Sequence, residues 1–374
     1  MRRLYFVVAL TLCAFLFPVP SLTAQNYTIT DLGTFGGSQT LAFGINEAGD
    51  VIGSANLTCQ ACYSHAFLYK KGRLHDLGAL PGATVSEGYG ISGGQGEGKI
   101  RATGYSYTQP CVHSDCGAVH AFLYTNGRML DLGTLPYGMN SEGAAINSSG
   151  QVTGWAEISN AQHTFFYQHA FLYSDGTMQD LGTLPGGSTS FGTGINDGWG
   201  RGESKGVQVT GYSSTVSGYD HAFLYSGGNM QDLGTLPGGR SSMGYAINRS
   251  GEVTGTSGIS VGDLHAFLYS HGAMQDLGTL PGLVNSFGQG INDAGDVVGY
   301  CVNLFDQHAF LYKDRAMHDL QSMIPEDSGW VLEKANAINN DGQITGIGVH
   351  NGATRAFLLT PSRRRRLAES KIAN

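Results

Sequence analysis

Residues 286–320 have the sequence SFGQGINDAGDVVGYCVNLFDQHAFLYKDRAMHDL, and this stretch decides the fold. It contains four short runs with strand character, Ser286–Asn292, Asp296–Tyr300, His308–Tyr312 and Ala316–Leu320. The segments between the runs are rich in Asn, Asp and Gly, which favour turns. No apolar period of 3.6 residues intervenes, so no helix is predicted. We call the four runs A, B, C and D.

The same unit recurs along nearly the whole chain. The string His-Ala-Phe-Leu-Tyr occurs six times, and a degenerate Arg-Ala-Phe-Leu-Leu begins at Arg355, with spacings of 43–55 residues. Each string is preceded by Ile-Asn or Ile-Ser and followed by Asp-Leu-Gly or Asp-Leu-Gln, except in the last copy. The six histidines are His65, His120, His169, His221, His265 and His308. A period of about 40–50 residues holding four strands is typical of a β-propeller blade.

The two ends of the repeat array predict how the ring closes. Tyr27–Gly33 is a D strand without its C strand, and Arg355–Leu359 is a C strand without its D strand. Pairing them would complete one blade and leave no exposed broken edge. We therefore predict an all-β, seven-bladed propeller with four antiparallel strands per blade. An open solenoid is the alternative, but it would need polar capping repeats, and none is visible.

The termini outside the repeats predict export. Arg2 and Arg3 precede an apolar run, Leu4–Phe17, and Ser21–Ala24 resembles a signal-peptidase site. The run is shorter than the roughly 20 residues of a membrane-spanning helix. We predict a signal peptide over residues 1–24, a propeller over 25–361 and a basic disordered tail over 362–374. The expected location is extracellular, with the periplasm or the cell surface as alternatives, and no transmembrane anchor is predicted.

Composition narrows the classes of partner. Only 13% of the residues are charged, 57 are Gly, and the formal net charge is -8 although the tail is basic. Few charges and many glycines disfavour long surface helices. An acidic propeller repels phosphate backbones, so nucleic acid is not an expected partner.

The cysteines predict local cross-links. Cys59 and Cys62 lie in the B-to-C segment of one unit, and Cys111 and Cys116 lie in that of the next. An oxidising compartment favours two short-range disulfides within these pairs. A four-cysteine zinc site is the alternative. Cys301 is left unpaired.

Most repeated polar residues are expected to be structural. A histidine repeated in six units does not indicate six catalytic centres, and we expect these side chains to bond buried backbone or the repeated Asp. The Asn-x-x-Gly turn after strand A lacks the spacing of a calcium loop, so a turn is favoured over a metal site. No metal, cofactor or catalytic residue is predicted from these motifs.

One strand-A position departs from the repeat and marks a candidate ligand site. It holds Leu41, Glu87, Glu142, Phe191, Met243, Phe287 and Lys334 in successive units. We expect strand A to be the innermost strand of each blade. This position is near the start of strand A, so we expect it to lie close to the channel mouth, on the face that carries the variable loops. Two acids from adjacent blades could share a proton, bind a cation or grip a sugar hydroxyl, while the apolar residues hold a ring. Alternatively, the two acids simply face a wet channel.

The longest B-to-C segments belong to the first three units and are rich in aromatic residues. They contain Tyr63, Tyr105, Tyr107, Trp155, Phe165, Phe166 and Tyr167. Exposed aromatic clusters suit sugars or protein partners. The alternative is that these rings only cover their own loops.

The repeats resemble a known family. The His-Ala-Phe strings, together with Asp180–Gly186 and Gly290–Gly295, are similar to the bacterial extracellular HAF repeat family. The resemblance implies a secreted repeat protein and brings no activity, catalytic residue or cofactor. We therefore predict a monomeric binding or adhesion module for an extracellular glycan or protein. The alternative is a secreted propeller hydrolase or lyase with its site at the channel mouth, although no nucleophile elbow, zinc motif or triad spacing is present.

Overall fold

The computed structural model describes residues 26–58, 63–93, 99–111, 117–198, 206–259 and 262–362. These residues form seven four-stranded antiparallel sheets arranged as a seven-bladed β-propeller, which confirms the predicted fold. Two short 3₁₀ helices, Leu320–Met323 and Glu326–Ser328, are the helices of the described chain. None of its helices combines the length and apolar character that a membrane span requires. The predicted signal peptide and nearly all of the predicted tail lie outside the described residues.

Six blades are continuous in sequence and the seventh joins the two ends. The strands are, in blade 1, β2 Gly36–Ile45, β3 Val51–Leu57, β4 Ser64–Lys70 and β5 Arg73–Asp76; in blade 2, β6 Ser86–Ser92, β7 Arg101–Tyr107, β8 Val119–Thr125 and β9 Arg128–Asp131; in blade 3, β10 Ser141–Ile146, β11 Val152–Ser159, β12 Phe166–Ser174 and β13 Thr177–Asp180; in blade 4, β14 Ser190–Ile195, β15 Val209–Ser214, β16 Asp220–Ser226 and β17 Asn229–Asp232; in blade 5, β18 Ser242–Ile247, β19 Val253–Gly258, β20 Leu264–Ser270 and β21 Ala273–Asp276; in blade 6, β22 Asn285–Ile291, β23 Val297–Val302, β24 Gln307–Lys313 and β25 Ala316–Asp319; and in blade 7, β26 Trp330–Ile338, β27 Ile344–His350, β28 Ala353–Pro361 and β1 Tyr27–Asp31.

The ring closes as the chain ends predict. β1 pairs antiparallel with β28, and Ile29 lies opposite Leu359. The closing strand ends at Asp31, two residues earlier than predicted, because the Asp31 carboxylate accepts a hydrogen bond from the Gly33 amide at 2.8 Å and turns the chain. The other predicted strand limits differ from the observed ones by at most two residues.

The core lies between neighbouring blades. The Phe of each C strand is completely buried, and these residues are Phe67, Phe122, Phe171, Phe223, Phe267, Phe310 and Phe357. Both faces of a blade pack against neighbours, which explains the unbroken apolar run of strand C. Glycine is required where strands A and B approach: a Cβ at Gly154 would collide with the carbonyl oxygen of Glu142.

The repeated His and Asp form a clamp within each blade. His65 Nδ1 lies 2.9 Å from the Asp76 carboxylate, and the other five units repeat this contact. Burial opposes ionisation of Asp76, but hydrogen bonds from His65 and from the Gly78 amide outweigh it and lower the pKa of this carboxyl. The predicted bond between each of the six histidines and the repeated Asp is confirmed. In blade 7, where Arg355 replaces the histidine, His350 of β27 binds Asp31 at 3.0 Å instead.

Two cysteines, Cys111 and Cys301, lie in the described residues. Cys301 is free and buried, as predicted, and burial raises the pKa of its thiol to about 11. Cys111 is disulfide-bonded. Cys59, Cys62 and Cys116 lie outside the described residues, so the two local pairs stay a prediction.

Candidate functional site

The A strands line a central channel. We call its end at the D-to-A and B-to-C connections the upper mouth, and its end at the A-to-B turns the lower mouth. The variable strand-A position lies at the upper mouth. In four blades its partner on strand B is aromatic: Tyr105 is opposite Glu87, Trp155 opposite Glu142, Tyr212 opposite Phe191 and Tyr300 opposite Phe287. Two residues further along strand A lie Phe43, Tyr89, Ala144, Thr193, Tyr245, Gln289 and Asn336.

Glu87 and Glu142 share a tyrosine between neighbouring blades. The Tyr89 hydroxyl donates to Glu87 Oε2 at 3.1 Å. It also lies near enough to Glu142 to lower the pKa of that carboxyl. Trp155 Nε1 donates to Glu142 Oε2 at 3.0 Å. Tyr89 and the two acids thus form one group of interacting side chains on the A strands of blades 2 and 3.

The electrostatics of the pair agree with this geometry. Burial raises the pKa of Glu87, against hydrogen bonds from Tyr89, Tyr105 and Ser64. Burial also raises the pKa of Glu142, the charge of Glu87 adds to the rise, and hydrogen bonds from Trp155 and Tyr89 oppose it. Burial and the neighbouring carboxylates raise the pKa of Tyr89 well above its usual range, so its hydroxyl stays protonated. The pair therefore binds a proton more readily than an exposed glutamate does.

Stacked aromatic rings form the other parts of the upper mouth. Phe191 stacks on Tyr212 with a centroid distance of 4.9 Å, and Phe287 stacks on Tyr300 at 4.8 Å. Lys334 Nζ lies 4.9 Å from the centroid of the Tyr300 ring. Among the described residues, no carboxylate forms an ion pair with Lys334. The mouth thus offers flat rings, one available cation and the acid pair.

The sequence-predicted residues divide into two arcs. Glu87, Glu142 and Phe191 occupy consecutive blades, with Tyr105 and Trp155 directly behind them on strand B. Phe287 and Lys334 occupy blades 6 and 7, and their ring partner is Tyr300.

Sequence reasoning missed Tyr89, which joins the acid pair, and Tyr245, which lines the same channel level. Alternation could have identified Tyr89, because residues i and i+2 of a strand face the same side.

The lower mouth holds a larger cavity that the sequence analysis did not single out. It measures about 500 Å³ against about 350 Å³ for the cavity behind the upper mouth. Between the two lies a collar of seven isoleucines, Ile45, Ile91, Ile146, Ile195, Ile247, Ile291 and Ile338. The polar groups at the lower mouth largely satisfy one another: the Asn340 amide group donates to Glu47 at 3.0 Å and to Asp293 at 2.9 Å. In the described parts of the chain, no group of three or more His, Cys, Asp or Glu side chains could hold a metal ion. Because these lower-mouth groups already bond one another, we take the upper mouth, with its two acids, as the candidate site.

Comparisons with known proteins extend the fold assignment. No protein-family model and no curated protein sequence matches the chain. The structure is similar to a Mycobacterium tuberculosis puromycin-hydrolyzing peptidase, with a TM-score of 0.56, 9% identity, and coverage of 91% of this chain and 55% of that one. A puromycin hydrolase has a TM-score of 0.52 and 10% identity over 87% of this chain and 52% of that one. An oligogalacturonate lyase in complex with manganese has a TM-score of 0.52 and 10% identity over 90% of this chain and 93% of that one.

These similarities show the propeller fold. The chain spans about half the length of the two hydrolases and nearly all of the lyase. Propellers of this shape thus occur in proteins named as hydrolases and as a lyase.

Proposed function

We propose that the protein is an extracellular propeller enzyme, a hydrolase or lyase that cleaves a glycan at the upper channel mouth. The observation that carries this proposal is the placement of Glu87 and Glu142 on adjacent A strands, with Tyr89 bonded to Glu87 and near Glu142. Burial raises the pKa of both carboxyl groups and the charge of Glu87 raises that of Glu142 further, so the pair is suited to supply a general acid and a general base. The hydrolases and the lyase of similar fold support the choice of an enzyme over a passive module.

The pair could serve either type of cleavage. In hydrolysis, the protonated carboxyl gives its proton to the leaving glycosidic oxygen, and the ionised carboxylate takes a proton from the attacking water. In elimination, the carboxylate takes a carbon-bound proton, the C–O bond breaks as a C=C bond forms, and the protonated carboxyl gives its proton to the leaving oxygen. Phe191 and Phe287, each stacked on a tyrosine, offer apolar faces to sugar rings. Lys334 would bind an anionic group of an acidic sugar.

A binding module remains the second candidate. The stacked rings alone would hold a glycan without cleaving it, and the resemblance to HAF repeat proteins brings no activity. Catalysis and binding differ in what they require of the two acids: cleavage needs them to exchange protons, whereas binding by the rings does not.

Substitution of the acids separates the two functions. Purified wild-type protein is incubated with a panel of neutral and acidic polysaccharides, and new reducing ends and unsaturated products are measured. We expect cleavage of at least one polymer, and a loss of roughly 10²–10⁴-fold in Glu87→Gln or Glu142→Gln with binding retained. Glu326→Gln, on the short helix Glu326–Ser328, is the matched control and keeps full activity. Unchanged cleavage in both channel variants would refute the role of the pair, and binding without cleavage by the wild type would establish the module instead.

A further inference from the structure

Blade 3 presents a cluster of exposed aromatic side chains outside the channel. Its D-to-A connection, 132–140, contributes Tyr137 and Met139, and its B-to-C connection with the start of β12 contributes His163, Phe165, Phe166 and Tyr167. Tyr137 is 54% exposed and Phe166 is 47% exposed. We call these six residues the blade-3 platform. None carries a formal charge when His163 is neutral, and large exposed apolar groups of this kind mark contact sites.

The five platform rings form two groups, and the rings within each group contact one another. Tyr137 meets His163 edge to face with a centroid distance of 6.2 Å, and His163 stacks on Phe166 at 5.8 Å. Phe165 packs on Tyr167 at 5.2 Å with an interplanar angle of 32°. Within each group the rings therefore hold their relative positions while keeping much of their surface in solvent.

The backbone of the platform is strained where the ring is displayed. Tyr137 has a φ of +60°, in the left-handed region. The corresponding residue of four other units is glycine with positive φ, at Gly82, Gly186, Gly238 and Gly282. A non-glycine residue is disfavoured in this conformation at a steric cost, because its Cβ crowds the following carbonyl oxygen. Burial does not offset this cost, because the side chain is exposed, so the tyrosine points to a role in binding.

Strand β11 holds the platform through hydrogen bonds and also carries Trp155 of the upper mouth. On β11, Glu157 Oε2 accepts the Met139 and Asn140 amides at 3.1 and 3.2 Å, and Glu157 Oε1 accepts from Asn140 Nδ2 at 2.9 Å. Two residues earlier on β11, Trp155 donates to Glu142 of the acid pair. The platform and the upper mouth thus share one rigid strand, and a preformed surface binds with a smaller loss of entropy.

We infer that the blade-3 platform binds distant units of the same glycan whose scissile bond lies at the upper mouth. This inference rests on the proposed function for the identity of the ligand. Aromatic faces pack against the C–H faces of sugar rings, while the tyrosine hydroxyls and the imidazole can bond sugar hydroxyls. The ligand is therefore an extended polymer that reaches from the channel over blade 3, and a short oligosaccharide would occupy the channel alone.

The test removes platform rings without harming the fold. Tyr137→Gly restores the residue that the other units carry and should relieve strain, and it is combined with Phe166→Ala. Leu304→Ala with Phe305→Ala is the matched control: these residues lie in the B-to-C connection of blade 6 and are 92% and 90% exposed. Retention on polysaccharide in affinity electrophoresis, and kcat and KM on polymer and on a short oligosaccharide, are measured for each protein.

We expect the platform variant to bind polymer roughly tenfold more weakly and to raise KM for polymer by the same factor, with unchanged kcat and KM on the oligosaccharide. The control pair should match the wild type. Wild-type retention by the platform variant would overturn the inference. If the wild type binds polymer but does not cleave it, and only the platform variant loses binding, the enzyme proposal fails and the platform inference stands.

Discussion

The Ile-Asn turns at the lower mouth form a chain of hydrogen bonds between blades, and this chain has a gap at Ser92. Asn147 Nδ2 donates to the Asn196 carbonyl at 3.2 Å, and Asn196 Nδ2 donates to the next carbonyl, that of Asn248, at 3.1 Å. The chain continues through Asn248, Asn292 and Asn339 to Asn46, which bonds Gly93 of blade 2. Ser92 is only 8% exposed, and its Oγ is the buried side-chain oxygen without a hydrogen-bond partner in the described chain. Blade 2 therefore lacks this link to blade 3.

Ser92→Asn should restore the link. An orphaned buried hydroxyl costs about 1–3 kcal/mol, and each new hydrogen bond contributes about 0.5–1.5 kcal/mol. Ser92 borders the lower cavity, so the larger amide has room. We expect the free energy of unfolding to increase by about 1–3 kcal/mol, since the two effects overlap and the longer side chain loses rotamer freedom.

Denaturant unfolding measures this change directly. The midpoint should rise in Ser92→Asn at an unchanged slope. Asn196→Ser is the matched reverse control, because blade 4 also has a long A-to-B connection, and it should lose about as much stability as the first variant gains. An unchanged or lower midpoint in Ser92→Asn, together with a harmless Asn196→Ser, would refute the reasoning.

Three further predictions concern closure and pH. Deletion of Tyr27–Asp31 removes the outer strand of blade 7, so the protein should unfold or oligomerise; a monomer of unchanged melting temperature on size exclusion and calorimetry would contradict this. Because the folded-state pKa of Glu142 is raised, its charge destabilises the fold at neutral pH, so Glu142→Gln should raise the melting temperature at pH 7 and the gain should shrink as the pH falls toward 4.5. Burial opposes ionisation of Asp180, but hydrogen bonds from His169 and Gly182 lower its pKa, so His169→Ala should destabilise the protein at neutral pH and this difference should fade below about pH 3.8.

The repeated motifs by themselves determined the architecture. Turn residues, strand runs and spacing are local properties, and they recur often enough to predict seven blades and the pairing of β1 with β28. The eleven-residue offset of His65 and Asp76 likewise determined their contact, because a short turn between strands C and D brings them side by side. These features depend on neighbours in sequence, so a single chain reveals them.

The tertiary structure alone decided which side chains of different blades meet. The placement of Tyr89 near both Glu87 and Glu142 depends on the angle between two blades. In blade 7, which has Arg355 at the repeated histidine position, the bond of His350 to Asp31 depends on ring closure. The left-handed conformation of Tyr137 could have been inferred, since the repeat aligns this residue with the turn glycine of other units, but the ring contacts of Tyr137 could not. Strand patterns specify the direction of a side chain relative to its own sheet, whereas distances between sheets arise only when all seven blades pack around one axis.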